Sequence, residues 1–243
     1  MVILLCFCVH WYASLFLQSF FHHRYGAHRQ FELSPRWERF FHLSVYLAQG
    51  ASYLDPRGYI LLHRMHHAYS DTSKDPHSPT NHANVVSLTW ATKQRYDAYT
   101  HRREEVERRL DGTCPEWPVL DRWGGSWPVR LAWIAAYTIF YVFFAPSALY
   151  FLLLPAQCLI SPVQGALVNW CGHRYGYRNF DTADGSTNAL PIDFLTLGEL
   201  CQNNHHACPG SASFAARWFE VDFTYQVIRF FERLGIVAIS VRA

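Results

Sequence analysis

The sequence has little net charge, because its positive and negative residues are nearly equal in number, and it lacks closely spaced cysteine pairs of the CxxC type. The 243 residues carry 21 Lys and Arg against 19 Asp and Glu, a net charge too small to indicate a nucleic-acid partner. The seven cysteines form no CxxC pair, which argues against a disulfide framework and a cysteine zinc site. No repeat, low-complexity tract or flexible linker divides the chain. We therefore predict a single domain over residues 1–243 in a reducing compartment.

Two stretches contain no charged side chain at all. The first, residues 1–23, is about as long as a membrane-spanning helix. It has neither the basic leader nor the small-residue cleavage site of a signal peptide. The second, residues 131–173, is long enough for two crossings, with Ala145-Pro146 as the turn between them. The pattern predicts three spans, at about 2–21, 128–144 and 147–169.

The basic residues indicate how these spans are oriented. All Lys and Arg fall between Arg24 and Arg130 or from Arg174 onward. The positive-inside tendency therefore places segments 22–127 and 170–243 in the cytoplasm. Three spans with short tails favour a bacterial inner membrane. The alternative is a soluble helical protein with two buried hairpin helices, although so long an uncharged run is rare in soluble folds.

Three further segments show helical periodicity outside the spans. Residues 89–110 are typical of a solvated amphipathic helix, whereas 37–54 and 218–239 space their apolar residues as helices lying at the membrane surface do. The predicted fold is therefore all-α. It is an integral membrane helical bundle with interfacial helices and a cytoplasmic helical cap.

Histidine is the residue type that carries chemical information. His63, His66 and His67 stand at i, i+3 and i+4, so on a helix they project within about 100° of one another. Three imidazoles on one face contribute little to packing, but neutral imidazole is a good ligand for iron, copper or zinc. This motif predicts a metal site. The same spacing recurs near the carboxyl end, with glutamine in its first position: Gln202, His205 and His206.

Two more groups lie where spans should leave the bilayer. His23 and His28 are five residues apart, about 140° around a straight helix, so they can share one site only if the helix loosens between them. Gly26 permits such loosening. Asn169 and His173 are at i and i+4 at the end of the last predicted span, and again share one face.

Taken together, these segments resemble the histidine boxes of the membrane fatty acid (acyl-CoA type) desaturases. The matching motifs are HRYGAH, HRMHH followed by KDPHSP, NWCGHRYGYR and GELCQNNHHACPG. Their order, spacing and position relative to the spans all agree with that family. The resemblance covers about residues 10–230.

The resemblance implies an O2-dependent enzyme with two irons that inserts a cis double bond into a saturated fatty acyl chain, as a thioester. Eight histidines would supply about four imidazoles to each iron, with O2 as co-substrate. A separate electron donor, a ferredoxin, rubredoxin or cytochrome b5-like protein, is also implied, together with contact to the lipid bilayer. The implied metal ligands are His23, His28, His63, His66, His67, His173, His205 and His206.

Gln202 departs from the family pattern, because a histidine usually stands there. We expect Gln202 and Asn169 to act through water or by hydrogen-bonding a ligand rather than by direct ligation. Asp75 and Glu199 are candidates to orient ligand imidazoles. His77 is expected beside the site but not as a ligand. We expect ordinary structural roles for the remaining histidines. His10 and His22 are two of them, and a surface or interface position is expected for the other three: His42, His82 and His101.

Two other functional classes compete with this interpretation. A metal transporter would need polar or ionisable groups at mid-membrane, and residues 131–168 offer only Gln157, Gln164 and small hydroxyls. A histidine-box hydroxylase, ketolase or sterol-type oxidase would use similar ligands and is the closer alternative. The DPH that follows HRMHH and the Asn and His that precede YGYR favour a desaturase.

Overall fold

The first predicted span is one continuous helix that changes its hydrogen bonding part-way. In the computed structural model, which describes residues 1–240, α1 (Val2–Leu17) continues as a π-helix over Gln18–Ala27. The helix therefore extends beyond the predicted end at residue 21. Segment 170–243, predicted to be cytoplasmic, ends in three residues, 241–243, that lie outside the described part of the chain.

The second apolar stretch forms one straight helix and one broken one. Helix α6 (Trp127–Phe144) agrees with the predicted span 128–144. A 3-10 turn and the short α7 (Leu154–Cys158) then meet α8 (Ile160–Gly172) at a bend of 73°. Pro162 lacks the N–H that would bond to the carbonyl four residues back, which interrupts the helix at this place. By length and composition the described chain has two helices able to cross a membrane, or three if the bent pair is one span.

Polar side chains within the apolar helices are bonded to neighbouring helices. The Ser14 hydroxyl donates to Gln164 Oε1 at 3.2 Å, and Gln164 Nε2 donates to the Trp11 carbonyl at 2.8 Å. The Tyr141 hydroxyl donates to Gln157 Oε1 at 2.6 Å. The few polar groups of the spans therefore tie helices together, as expected where no water is available.

Three longer helices lie between the first and second apolar regions. They are α2 (Pro35–Gln49), α3 (Pro56–Tyr69) and α4 (Val85–Thr100), followed by the short α5 (Pro118–Gly124). Helix α2 exposes Phe40, Leu43 and Leu47, which fits the predicted interfacial position.

The helix predicted over 89–110 is wrong in its second half. Asn84 and Ser87 form a capping box that starts α4 earlier than predicted. At the other end Arg102 adopts a φ of 52°, Arg103 N donates to the Ala98 carbonyl and Arg102 N donates to the Tyr99 carbonyl. This is a Schellman motif, which ends the helix.

A two-stranded sheet departs from the all-α prediction. Strand β1 (Phe31–Leu33) pairs antiparallel with β2 (Val237–Ile239), with Phe31 opposite Ile239. Helix α9 is Gln202–Ala207 and α10 is Phe223–Arg233. Gly235, with a φ of 69°, ends α10 and turns the chain into β2, so the helix predicted over 218–239 does not continue to its end.

The main hydrophobic core packs against the π-helix. Phe20 is fully buried, and its ring centroid lies 4.7 Å from that of Phe31 and 4.5 Å from that of Phe41. It also meets Phe231 of α10 edge-on at 5.7 Å. Aromatic pairs at these distances contribute beyond the area that they bury. The core thus joins the carboxyl-terminal elements to the helix that carries the first histidine box, HRYGAH (residues 23–28).

Candidate metal centre

The π-helix brings together the two histidines of the first box. His28 N donates to the His23 carbonyl at 3.1 Å, an i→i+5 bond. Residues five apart then lie above one another, and the His23 and His28 ring centroids are 5.0 Å apart. The loosening predicted for this helix is confirmed.

Helix α3 divides the histidines of the second box, HRMHH (residues 63–67), between two sites. Its start is defined by Pro56 and by Asp55, whose carboxylate accepts from Gly58 N at 3.1 Å. About two turns further along the helix, His63 and His67 face the first box, and His66 faces away from it toward His173 and His206. The structure thereby separates three neighbouring imidazoles into two groups.

The first group, here called the five-histidine cluster, places all its ligand nitrogens within 4.8 Å of one another. His28 Nε2 lies 2.7 Å from His63 Nε2, and His205 Nε2 lies 3.0 Å from both His23 Nε2 and His67 Nε2. Helix α9 supplies His205 to complete the group. Its members are His23, His28, His63, His67 and His205.

The second group, the three-histidine cluster, consists of His66, His173 and His206. His66 and His206 bring their Nε2 atoms to 3.3 Å from each other, and the His173 ring centroid is 5.0 and 4.8 Å from theirs. The eight predicted ligands therefore group five and three, rather than about four to each metal.

Each ring of the three-histidine cluster is held by a carboxylate. His66 Nδ1 lies 2.8 Å from Asp75 Oδ2, and His206 Nδ1 lies 2.6 Å from Asp184 Oδ2. His173 Nδ1 lies 3.1 Å from Asp71 Oδ2. The orienting role predicted for Asp75 is confirmed. Asp71 and Asp184 were missed, because they lie outside the boxes in loops whose spacing carries no periodic signal.

These hydrogen bonds test whether the cluster suits a cation. A neutral imidazole that donates from Nδ1 carries its lone pair on Nε2. The Nε2 atoms of the three rings converge in a buried space, and among the described residues 1–240 His173 Nε2 has no hydrogen-bond partner. Lone pairs facing one another repel unless a cation lies among them. The donor set therefore fits a metal that accepts imidazole nitrogen, such as iron.

Burial and hydrogen bonding determine the charge states around the clusters. Burial favours the neutral acid at Asp71 and Asp184, but hydrogen bonds from His173 and His206 outweigh it and hold both pKa values well below the usual range. Burial also lowers the pKa values of four histidines of the five-histidine cluster, so these rings are neutral: His28, His63, His67 and His205.

A buried ionic network holds the His23 ring in place. Its Nδ1 lies 2.5 Å from Glu199 Oε2, which confirms the orienting role predicted for Glu199. Although burial opposes it, the neighbouring His23 lowers the pKa of Glu199 to about 2. Arg24, fully buried, reaches Glu199 at 3.3 Å and Asp222 at 3.0 Å. Arg24 and Asp222 were missed because charged residues within or near a box look like ordinary solvated groups in a sequence.

Gln202, Asn169 and His77 lie around the three-histidine cluster. Gln202 Nε2 donates to the Glu199 carbonyl at 2.7 Å, and the side chain packs tightly against Gly172, next to His173. Asn169 Nδ2 lies 3.0 Å from His77 Nδ1, and the His77 ring is 5.5 Å from His66. His77 is thus beside the cluster and outside it, as predicted.

The remaining histidines lie outside both clusters. His22 is buried and stacks on Tyr59 at 5.2 Å, and His10 meets Tyr137 of α6 at 5.3 Å. The surface position predicted for His42 is wrong, because the ring is buried against Asp121 at 2.7 Å. His101 and His82 were also predicted at a surface or interface. His101 is exposed, as predicted, whereas His82 is half-buried.

Comparison with known proteins shows which family and which chains this sequence is similar to. The profile of the family described as "Fatty acid desaturase" matches residues 1–233. The chain is 31% identical to the "Delta-9 desaturase-like 5 protein" of Arabidopsis thaliana, with 90% of this chain and 70% of that protein aligned. It is 30% identical to the "Acyl-CoA C20 Delta5-desaturase" of Anemone leveillei over 95% and 71% of the two chains. It is 27% identical to the "sn-1 stearoyl-lipid 9-desaturase" of Anabaena variabilis over 88% and 74%.

Proposed function

This chain belongs to the fatty acid desaturase family and desaturates fatty acyl chains, and we propose that it does so at two irons held by its two histidine clusters. The five-histidine cluster would hold one iron and the three-histidine cluster the other. Asn169 and Gln202 would act beside the second iron through water or through hydrogen bonds to its ligands.

The observation that carries this proposal is the convergence of imidazole nitrogens from distant parts of the chain. The ligand nitrogens of each cluster lie within 4.8 Å of one another, and each cluster brings together residues separated by 138 or more positions in the sequence. These rings are buried or half-buried and face one another, an arrangement that gains nothing from packing. Their arrangement is accounted for by cations bound among them.

The reaction needs an oxidant, because a methylene C–H bond has no acidity and no leaving group for acid–base catalysis. Iron with O2 supplies that oxidant. The balance is one CH2–CH2 unit, O2, two electrons and two protons giving one CH=CH unit and two waters. The protein's own part is to hold the imidazoles in place through Glu199 and the aspartates, and to bury them away from bulk water.

We also propose that this chain lies in a bacterial inner membrane with both clusters on the cytoplasmic side. In support, the apolar helices carry almost no charge, and the basic residues are concentrated in segments 22–127 and 170–243. The first histidine box lies at the carboxyl end of the first apolar helix, next to the basic segment. A separate donor, a ferredoxin, rubredoxin or cytochrome b5-like protein, would deliver the electrons from that side.

We further propose an acyl thioester as substrate and a cis double bond as product. In support, a relative that aligns with 95% of the chain is named an acyl-CoA desaturase. Another is named for a lipid-linked substrate. Supplying a saturated acyl-CoA and a phospholipid carrying the same acyl chain to parallel reactions distinguishes the two, and desaturation of the phospholipid alone would overturn the thioester assignment.

The decisive experiment combines metal content with product analysis. Membranes containing the protein are incubated with a saturated acyl-CoA, a reducing system and O2, and the product is located by mass spectrometry. We expect a double bond and about two irons per chain in the purified protein. His67→Ala should abolish the product, and His101→Ala, an exposed histidine outside both clusters, should not. A hydroxylated product, or activity without iron, would refute the proposal.

A further inference from the structure

The chain between α8 and α9 contains an almost uncharged loop beside α1. Residues 185–198 include one charged side chain, Asp193, which is fully buried. Three large apolar side chains of the same loop are exposed: Ile192, Phe194 and Leu195. Resting on the membrane placement proposed above, we propose that loop 191–197 inserts into the bilayer beside α1 and contacts lipid acyl chains. Segment 170–243 would then leave the cytoplasm at this one loop.

A hydrogen bond to α1 sets the depth of the loop. Trp11 Nε1 donates to the Leu195 carbonyl at 3.2 Å. Trp11 lies near the middle of the predicted span 2–21, about 15 Å along the helix axis from the end next to the first histidine box. Val9 and Tyr12 beside it are exposed, so α1 faces the surroundings of the protein at this level. In a helix that crosses the membrane, that level lies within the hydrocarbon core.

The loop can enter an apolar medium because its polar groups are bonded within the protein. Irregular backbone is tolerated at membrane depth only under that condition. The Asp193 carboxylate accepts from the Thr196 hydroxyl. It also accepts from three backbone N–H groups at 2.8, 3.1 and 3.0 Å, those of Thr196, Gly198 and Leu200. The charge of the loop is thus enclosed by donors, and the side chains that the loop exposes are hydrocarbon.

The loop is fixed on its other side by α10 and continues to the five-histidine cluster. Thr224 of α10 donates from both its N–H and its hydroxyl to the Leu197 carbonyl, each at 3.2 Å. Leu197 has a φ of 57°, which residues other than glycine seldom adopt unless their surroundings hold them there. Glu199, which holds His23, follows two residues later. The segment that contacts lipid therefore leads directly into the support of a predicted ligand.

Lipid is the occupant that fits this exposed apolar surface. Contiguous apolar patches mark places where a protein meets another apolar surface or a membrane, and this patch adjoins the exposed side of α1. A soluble partner cannot reach the middle of the bilayer. A second copy of the chain would gain little there, because apolar side chains have no hydrophobic drive to associate within lipid. Acyl chains already surround α1 at this level.

Spin labels test the depth of the loop in the iron-loaded enzyme, reconstituted into phosphatidylcholine nanodiscs. Cys8→Ser and Cys208→Ser first remove the two exposed thiols, and this parent protein gives the background signal. A nitroxide is then attached to Phe194→Cys, and its collisions with O2, which concentrates in lipid, are compared with its collisions with a water-soluble nickel chelate. Val9→Cys on α1 is the lipid reference, and His101→Cys after α4 is the water reference, since both positions are exposed.

We expect the label at Phe194→Cys to collide mainly with O2, as the label at Val9→Cys does. Collisions mainly with the nickel chelate, as at His101→Cys, would overturn the insertion and leave the di-iron function standing. Protection from both reagents would mean a protein partner, such as a second copy of the chain, and would also overturn it. If the label at Val9→Cys itself meets the chelate, the membrane placement of α1 is refuted and the inference with it.

Iron content shows whether each labelled variant keeps its fold. It should equal that of the parent protein, because Phe194 lies outside both clusters. If Phe194→Cys loses iron, Ile192→Cys gives the same test, since Ile192 is also exposed in the loop.

Discussion

Gly172→Ala should remove one of the two irons. A Cβ added at this position would lie 2.4 Å from Gln202 Cγ and 3.1 Å from Gln202 Cβ, whereas carbon atoms pack at about 3.5–4.0 Å. Gln202 Cβ is fixed by the backbone, and rotating Cγ away about χ1 would break the bond from Gln202 Nε2 to the Glu199 carbonyl. The end of α8 and the start of α9 must therefore separate by about 1 Å. Overpacking of this kind costs about 1–3 kcal/mol.

The separation acts directly on the three-histidine cluster. His173 follows Gly172, and His206 lies one turn after Gln202, with ring centroids 4.8 Å apart. Metal–ligand distances tolerate only about 0.2 Å, so a displacement of about 1 Å should release this metal. The five-histidine cluster keeps at least four of its histidines, which lie on α3, on the π-helix and directly after it. Iron analysis of the purified variant should therefore fall from about two per chain toward one.

The chain offers a matched control and a rescue for this prediction. Gly165 lies in the same helix, and a Cβ there would meet nothing within 4 Å, so Gly165→Ala should keep both irons. Adding Gln202→Ala to Gly172→Ala removes the Cγ that clashes and should restore most of the iron. Equal iron content in Gly172→Ala and Gly165→Ala, or no rescue in the double variant, would refute the reasoning.

Three other predictions test different parts of the site. Gln202→His should keep or raise the iron content, and a fall would show that the position does not correspond to the first histidine of the family's third box. His173→Ala should lower iron by about one per chain by atomic absorption, whereas His101→Ala should leave it unchanged. In the metal-stripped protein, burial lowers the pKa of four histidines of the five-histidine cluster. Below about pH 6.5 the unfolded chain therefore binds protons that the folded chain does not. The unfolding temperature should fall from pH 7 to pH 5, and a rise would contradict the burial of these rings in the neutral form.

The spacing of the histidines predicted much of the site, because in a regular helix the spacing of two residues determines the directions in which their side chains point. The i, i+3, i+4 pattern identified His63, His66 and His67 as sharing a helix face. It could not separate His66 from the other two, because that division depends on where α9 and the end of α8 pack against α3. The grouping of five and three is therefore a tertiary result.

The apolar spans were predictable where charge was absent and unpredictable where local geometry intervened. Helix α6 ends at Phe144, as the Ala145-Pro146 turn indicated. The bend between α7 and α8 follows from Pro162, whose missing N–H a hydropathy average does not register. The β1–β2 pair joins residues about 200 positions apart, and no local pattern in strands of three residues indicates such pairing.

Partners outside the boxes were the hardest part to predict. Asp71 and Asp184 approach His173 and His206 from loops, and the approach depends on turns closed by bonds such as Gly185 N to Asp71 Oδ2 at 2.6 Å. Arg24 is adjacent to a predicted ligand, yet its burial against Phe214, 3.9 Å from its guanidinium carbon, follows from the carboxyl-terminal chain returning to the site. Such contacts appear only once the chain has folded.

The most direct test of the account is the position of iron in crystals of the iron-loaded enzyme. Anomalous difference maps measured on either side of the iron absorption edge should contain two peaks per chain. One should lie among the imidazoles of the five-histidine cluster and the other among His66, His173 and His206. A single peak shared by all eight rings, or peaks at other side chains, would contradict the account.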